Sequence, residues 1–135
     1  MALLVWNDTY SLGIASIDEQ HKKILDMINE LSLSLINKED ESRQVLVLLK
    51  LTSYTISHFR HEENIFDKYN YEETDEHKES HKKLIERVDD FQTRLTENKE
   101  DIGEELLGFL ITWLLNHILL MDKRYMPFMT QNGIS

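Results

Sequence analysis

Residues 58–81 read H-F-R-H-E-E-N-I-F-D-K-Y-N-Y-E-E-T-D-E-H-K-E-S-H. His58 and Glu62 are four residues apart, and so are His77 and His81. On a helix such pairs stand one above the other on a single face. The stretch therefore offers two helical ligand pairs, His-x-x-x-Glu and His-x-x-x-His. A polar link over 70–73 joins them, with Thr74 placed to cap the second helix. Apolar residues extend both faces in steps of three and four. Leu48, Leu51 and Thr55 precede His58, and Ile65 and Tyr69 follow Glu62. Leu84, Val88, Phe91 and Leu95 follow His81. Each pattern predicts an amphipathic helix whose ligand pair faces a core.

Two more helices flank this hairpin. Ser16-Ile17-Asp18-Glu19 has the form of a capping box, Ser at the N-cap and Glu three later. It predicts a first helix with Ile17, His21, Ile24, Ile28, Leu31 and Leu35 on one seam. A polar link over 37–42 separates it from the hairpin. The link over 96–100 precedes a fourth helix, capped by Asn98 or Asp101. That helix carries Ile102, Leu106, Leu110, Trp113, His117 and Leu120 on its seam and is apolar nearly all round. Residues 1–15 read as an arm, packed through Leu4, Val5, Trp6, Tyr10 and Leu12. Residues 127–135 read as a tail, because Pro127 stops or kinks a helix that reaches it. The expected architecture is all-α: an antiparallel up-down-up-down four-helix bundle over 16–126, with an N-terminal arm, in one domain spanning 1–135.

Composition agrees. One Pro and four Gly in 135 residues leave long helices unbroken. The absence of Cys removes disulfides, iron–sulfur clusters and thiolate zinc sites, and suits a cytoplasmic protein. A net charge of −10 excludes a phosphate-tracking, nucleic-acid-binding chain. The most apolar segment, 106–121, is interrupted by Thr112, Asn116 and His117 and is too short for membrane insertion.

In an up-down bundle the start of helix one, the end of helix two, the start of helix three and the end of helix four share one end. His21, His58, Glu62, His77, His81 and His117 occupy those positions. Offsets of a few residues separate them by about 5–10 Å at 1.5 Å rise per residue. Five imidazoles and a carboxylate thus meet in one core layer, where desolvation is costly unless a metal takes up their lone pairs. His61 steps off the seam and is expected to flank the layer. The set has too many imidazoles for one tetrahedral zinc. It has too few oxygens for magnesium or calcium. It also lacks the Glu-x-x-His of carboxylate-rich di-iron bundles. Two adjacent transition metals fit it, iron foremost.

The segments H-F-R-H-E-E (58–63), E-H-K-E-S-H (76–81) and W-L-L-N-H-I-L-L-M-D (113–122) resemble the signatures of the hemerythrin family, and the chain is similar to single-domain bacterial hemerythrins along its length. The resemblance implies an oxo- or hydroxo-bridged, non-haem di-iron centre that binds O2 reversibly. It implies His21, His58, His77, His81 and His117 as terminal ligands, with Glu62 and Asp122 as bridging carboxylates. With a bridging oxo or hydroxo group, these ligands leave one position of two six-coordinate irons open for O2. Only the resemblance brings in Asp122: five residues past His117, it lies about 140° around an ideal helix. It reaches the site only if the chain is distorted there, a distortion to which Pro127 is expected to contribute. Ile24, Phe59, Trp113, Leu114, Ile118 and Met121, each next to or one turn from a ligand, are the expected lining of an O2 pocket.

Three functions follow from such a site. The first is an O2 carrier, store or delivery protein, a monomer or weak homo-oligomer with a protein recipient of O2. The second is a sensor of O2, redox state or nitric oxide that acts on a partner. The third is a di-iron oxidase or peroxidase, disfavoured by the few carboxylates. The expectation is the first, with no enzymatic turnover.

Overall fold

The computed structural model describes residues 4–38, 40–97 and 103–134. Helix α1 spans Ala15–Ile36, α2 Glu41–Tyr69, α3 Thr74–Thr96 and α4 Gly103–Asn116. A π turn over His117–Met121 and a 3-10 turn over Asp122–Tyr125 then lead into a short α5, Met126–Gln131. There is no strand among the described residues. The expected all-α, up-down-up-down bundle is the fold observed. Helix α1 packs against α2 and α4, and α2 against α3. Phe91 meets Phe109 with ring centroids 5.6 Å apart, and Arg94 binds Glu105, closing α3 onto α4. No described helix is long and apolar enough to cross a membrane.

The ends of the helices depart from the sequence expectation in specific ways. Helix α1 starts at Ala15 with Ile14 at its N-cap and no side-chain cap, so Ser16 does not close a capping box. Asp18 instead turns its carboxylate to the arm, accepting from the Leu12 N–H at 2.8 Å and the Ser11 hydroxyl at 2.6 Å. The acid one turn inside the helix thereby anchors the chain that enters it. Asp40 caps α2 by accepting the Arg43 N–H, so the link ends before residue 41. Asn70 closes α2 in the left-handed region at φ 57°, which its short polar side chain tolerates. Thr74 is the first helical residue of α3, and its hydroxyl donates to the Tyr71 carbonyl rather than capping. Asn98 and Asp101 lie outside the described residues, as does Ile102.

Two apolar clusters fill the bundle. The larger holds Ile24, Ile28, Leu31, Leu48, Leu51, Leu84, Val88, Phe91, Leu106, Leu110 and Leu114. The smaller holds Leu12, Ile14, Ile17, Phe66, Tyr71, Tyr125 and Met129. Phe66 is fully buried there, whereas Ile65 and Tyr69, expected on the seam, are half-buried. The arm is clamped along α1 by a reciprocal pair: Asn29 accepts the Leu4 N–H and donates to the Leu4 carbonyl. Leu12 is buried, Leu4, Trp6 and Tyr10 are half-buried, and Val5, expected to pack, is 74% exposed. The tail differs more. Pro127 sits in the first turn of α5, where its missing N–H is harmless, and Met129 is fully buried. Residues 126–131 are therefore a helix that covers one end of the bundle.

Candidate metal centre

Between the two apolar clusters lies a single polar layer. In α1, His21 follows Ile17 and precedes Ile24. In α2, His58 and Glu62 fall between Leu51 and Phe66. In α3, His77 and His81 fall between Tyr71 and Leu84. His117 opens the π turn after α4. All of them, with Asp122, are at most 4% exposed. Burying seven polar side chains side by side is sustained only if each finds a partner.

Their ligand atoms form two groups. Glu62, His77, His81 and His117 present atoms within 4.8 Å of one another, and so do His21, His58, Glu62 and Asp122. Glu62 is common to both: its Oε1 is 3.2 Å from His58 Nε2 and 3.3 Å from His81 Nε2. Asp122 faces both histidine sets with different oxygens. Its Oδ1 is 2.9 Å from Nε2 of both His77 and His117, and its Oδ2 is 3.0 Å from Nε2 of His21. His21 and His58 meet Nε2 to Nε2 at 3.1 Å, and His81 and His117 do so at 3.2 Å.

Tautomers decide what points inward. His58 Nδ1 lies 2.5 Å from the Gln20 amide oxygen, and His81 Nδ1 lies 2.9 Å from Glu63 Oε2. Both partners are acceptors, so both Nδ1 atoms carry the proton and both Nε2 atoms direct lone pairs into the layer. The Ser80 hydroxyl is 3.3 Å from His117 Nδ1. Ring planes are fixed by stacking: Phe59 on His81 with centroids 3.7 Å apart, and Trp113 on His117 at 4.3 Å. Despite the short separations, Glu62 Oε1, both Asp122 oxygens and His77 Nε2 have no aligned hydrogen-bond partner. Converging lone pairs and orphaned carboxylate oxygens form an incomplete hydrogen-bond network but a complete donor set for cations. The residues therefore fit a pair of metal ions of the kind that imidazole and carboxylate bind.

Electrostatics of the layer follow from the same contacts. Burial and the facing Asp122 push the Glu62 carboxyl up, but His58 and His81 overcome both and hold it well below the usual range. Asp122 is likewise held well below it: burial raises it, and His117, His21 and His77 outweigh that. Burial lowers His21 and His77, yet Asp122 lifts both above the ordinary value. At His117 burial prevails and the value falls.

Asp122 reaches the layer through the π turn. Its N–H donates to the carbonyls of His117 and Ile118. The bond to His117 spans five residues instead of four and takes one extra residue into the turn. Asp122 is thereby carried to the face of His117, and Leu120, expected on that seam, is turned out to 61% exposure. The π turn contains no proline and precedes Pro127 by several residues. The Lys123 carbonyl, which a proline at 127 would leave without its helical donor, is taken by the Met126 N–H. Pro127 is thus accommodated by the 3-10 turn that directly follows the π turn placing Asp122.

His61 stays outside both groups and is half-buried. Beside the layer lies a cavity of about 30 Å³, lined by His21, His58 and His117 and by apolar side chains of all four helices. Ile24, Phe59, Trp113 and Leu114 are in its wall. Ile118 and Met121 are not: Ile118 is buried within the larger cluster away from this wall, and Met121 is half-buried. Sequence reasoning missed Ile28, Leu51, Val88 and Leu110, which also line it and sit one or two turns further along the same seams. It missed Tyr125 too, fully buried, whose hydroxyl donates to Glu62 Oε2 at 2.6 Å. Gln20, Glu63 and Ser80 were also missed; each directly adjoins a candidate ligand in sequence yet meets a histidine of the layer that comes later in the chain.

The comparisons with known proteins agree with this geometry. The hemerythrin HHE cation binding domain matches residues 12–129. A bacteriohemerythrin of Pseudomonas aeruginosa (strain PAO1) is 41% identical over 125 residues, covering 93% of this chain and 80% of the relative. One from Clostridium acetobutylicum is 30% identical over 128 residues, covering 91% and 98%. The fold superposes on a crystal structure of wild-type hemerythrin with a TM-score of 0.86 at 31% identity, covering 93% of this chain and 97% of that one. With a family match over residues 12–129 and a buried layer of histidines and carboxylates on the bundle's helices, this chain belongs to the hemerythrin family.

Proposed function

We propose that the chain binds O2 reversibly at a non-haem di-iron centre and serves as an oxygen carrier, store or delivery protein. In this reading the protein works as a single domain in the cytoplasm. His77, His81 and His117 would hold one iron and His21 and His58 the other, with Glu62 and Asp122 as the carboxylates that would serve both. The opposed oxygens of Asp122 support the bridging role. Two irons held there would supply the electrons that O2 takes up on binding and returns on release.

The observation that carries the proposal is the cavity. It abuts both histidines of the two-histidine side, the side short of one donor, and only His117 of the other. Its volume of about 30 Å³ suits a diatomic molecule. The hydroxyls of Thr52 and Thr55 in its wall are spent on the Leu48 and Leu51 carbonyls, so these residues offer the cavity no free donor. Apolar walls exclude water, and Phe59 and Trp113 hold the rings of His81 and His117 in place. Residues so arranged bind a small apolar gas and keep protons away from it, which suits binding rather than turnover.

Iron analysis with an optical spectrum of the aerobic protein tests this. Two irons per chain, with visible charge-transfer bands that bleach on deoxygenation over repeated cycles, are expected. One zinc per chain and no colour would refute it. Rapid loss of the oxygenated form coupled to substrate oxidation would replace carrier with enzyme, and oxygen-dependent binding of another protein would replace it with sensor. Glu62→Ala is expected to lose the whole centre and His117→Ala at least one iron, read as iron per chain.

A further inference from the structure

Each of the first three helices orients a candidate ligand that follows it in the bundle. Gln20 on α1 meets Nδ1 of His58 on α2, Glu63 on α2 meets Nδ1 of His81 on α3, and Ser80 on α3 meets Nδ1 of His117 after α4. The partners differ in kind: an amide oxygen, a carboxylate and a hydroxyl. On the opposite side, His21 Nδ1 is buried with no partner. Glu63 is the one anion of the three, and its side chain is 28% exposed. It borders a surface groove between α2 and α3 that also holds Arg60, Lys78 and Lys82.

We propose that Glu63 is a positioning residue that makes the three-histidine half of the centre its electron-rich half, while Gln20 gives His58 on the other half only a neutral partner. The proposal rests on the di-iron reading above. A carboxylate that accepts Nδ1–H draws the proton toward itself and raises the basicity of Nε2; a neutral amide does so less. The Phe59 ring, parallel to His81 within 6°, holds the imidazole plane so that this bond persists. A stronger donor favours the higher oxidation state, so Glu63 lowers the potential of the iron that His81 binds.

The test uses the full-length iron-loaded protein as wild type, Glu63→Gln and Gln20→Glu. Iron per chain comes first: fewer than two in the wild type overturns the functional reading, and this proposal with it. With both irons in place, Glu63→Gln is expected to raise the midpoint potential and Gln20→Glu to lower it. Glu63→Ala is expected to weaken metal binding roughly tenfold. An independent readout is nitrogen-15 NMR of the zinc-loaded protein, in which the His81 Nδ1–H proton is expected to resonate downfield and to move upfield in Glu63→Gln. A merely structural Glu63 would leave the potential unchanged once both irons are bound. Either an unshifted potential in iron-loaded Glu63→Gln or an unmoved His81 proton overturns the proposal.

Discussion

Gln20, Glu63 and Tyr125 take up outward-facing atoms of the polar layer and leave others facing inward, and these outer contacts set the chemistry. Tyr125 takes Glu62 Oε2 and leaves Oε1 between His58 and His81. Tyr125→Phe removes the donor and leaves a buried carboxylate oxygen bare. It is expected to destabilise the metal-free fold by about 1–3 kcal/mol, measured by chemical denaturation, and to speed iron loss to a chelator. The titrating groups predict a second behaviour. Glu62 and Asp122 are depressed, so their stabilisation is full above the unfolded carboxylate values near 4. It is lost as pH falls through the depressed folded values. His21 and His77 are raised, so theirs is full below about 6.5 and is lost as pH rises through the raised values. His117, lowered by burial, opposes them on the acid side. The denaturation midpoint of the metal-free protein is therefore expected to be highest between about pH 4 and 6.5. Metal uptake needs neutral imidazoles and should instead improve above that range. A metal-free protein whose stability keeps rising well above pH 7 would contradict the assignment.

Among the elements, the π turn has the most specific task. Helix α1 supplies His21 alone, and α2 and α3 each supply their candidate ligands at ordinary helical spacing. The fourth must deliver His117 and Asp122, five residues apart, to one face, and regular helix cannot do so. The i→i+5 bond from Asp122 to His117 absorbs the extra residue. Inserting one alanine after the exposed Leu120 makes the spacing six, and with one residue absorbed by the π turn Asp122 still lies about 140° away from His117. Circular dichroism should show the helix content kept, and metal analysis should show fewer than two ions per chain. An insertion variant that still binds two would mean that the register of the turn is not what brings Asp122 to the site.

At the scale of the molecule, the arm and α5 form an apolar plug over the polar layer. Leu12, Ile14 and Ile17 enter it from the start of the chain, and Tyr125 and Met129 from its end. The larger cluster closes the other side, so the layer is sealed from above and below. Met129→Ala opens a cavity in the plug and is expected to cost about 2–5 kcal/mol, read as a lower denaturation midpoint. It should also accelerate loss of iron to a chelator without altering the ligand set. Unchanged chelation kinetics in the destabilised variant would show that the plug supports the fold and does not guard the centre.

The sequence by itself determined the helices, their order, and the polar seam positions that topology brings to one end. Steps of three and four residues report which side chain faces the core, and antiparallel connection then fixes the height of His21, His58, Glu62, His77, His81 and His117. Such periodicity is local, so it is readable in a window of a dozen residues. It says nothing of a place where the period itself changes, and Asp122 therefore entered only through resemblance to a family. Nor does it disclose which neighbour a flanking polar residue will meet. Gln20, Glu63 and Ser80 adjoin ligands in sequence, but the angle between packed helices turns each toward the next helix. Only the tertiary structure decided that Asp18 ties down the arm, that residues beyond Pro127 cap the bundle, and that a cavity of about 30 Å³ touches the two-histidine side of the layer. These depend on contacts between segments far apart in the chain, whose packing no local pattern encodes.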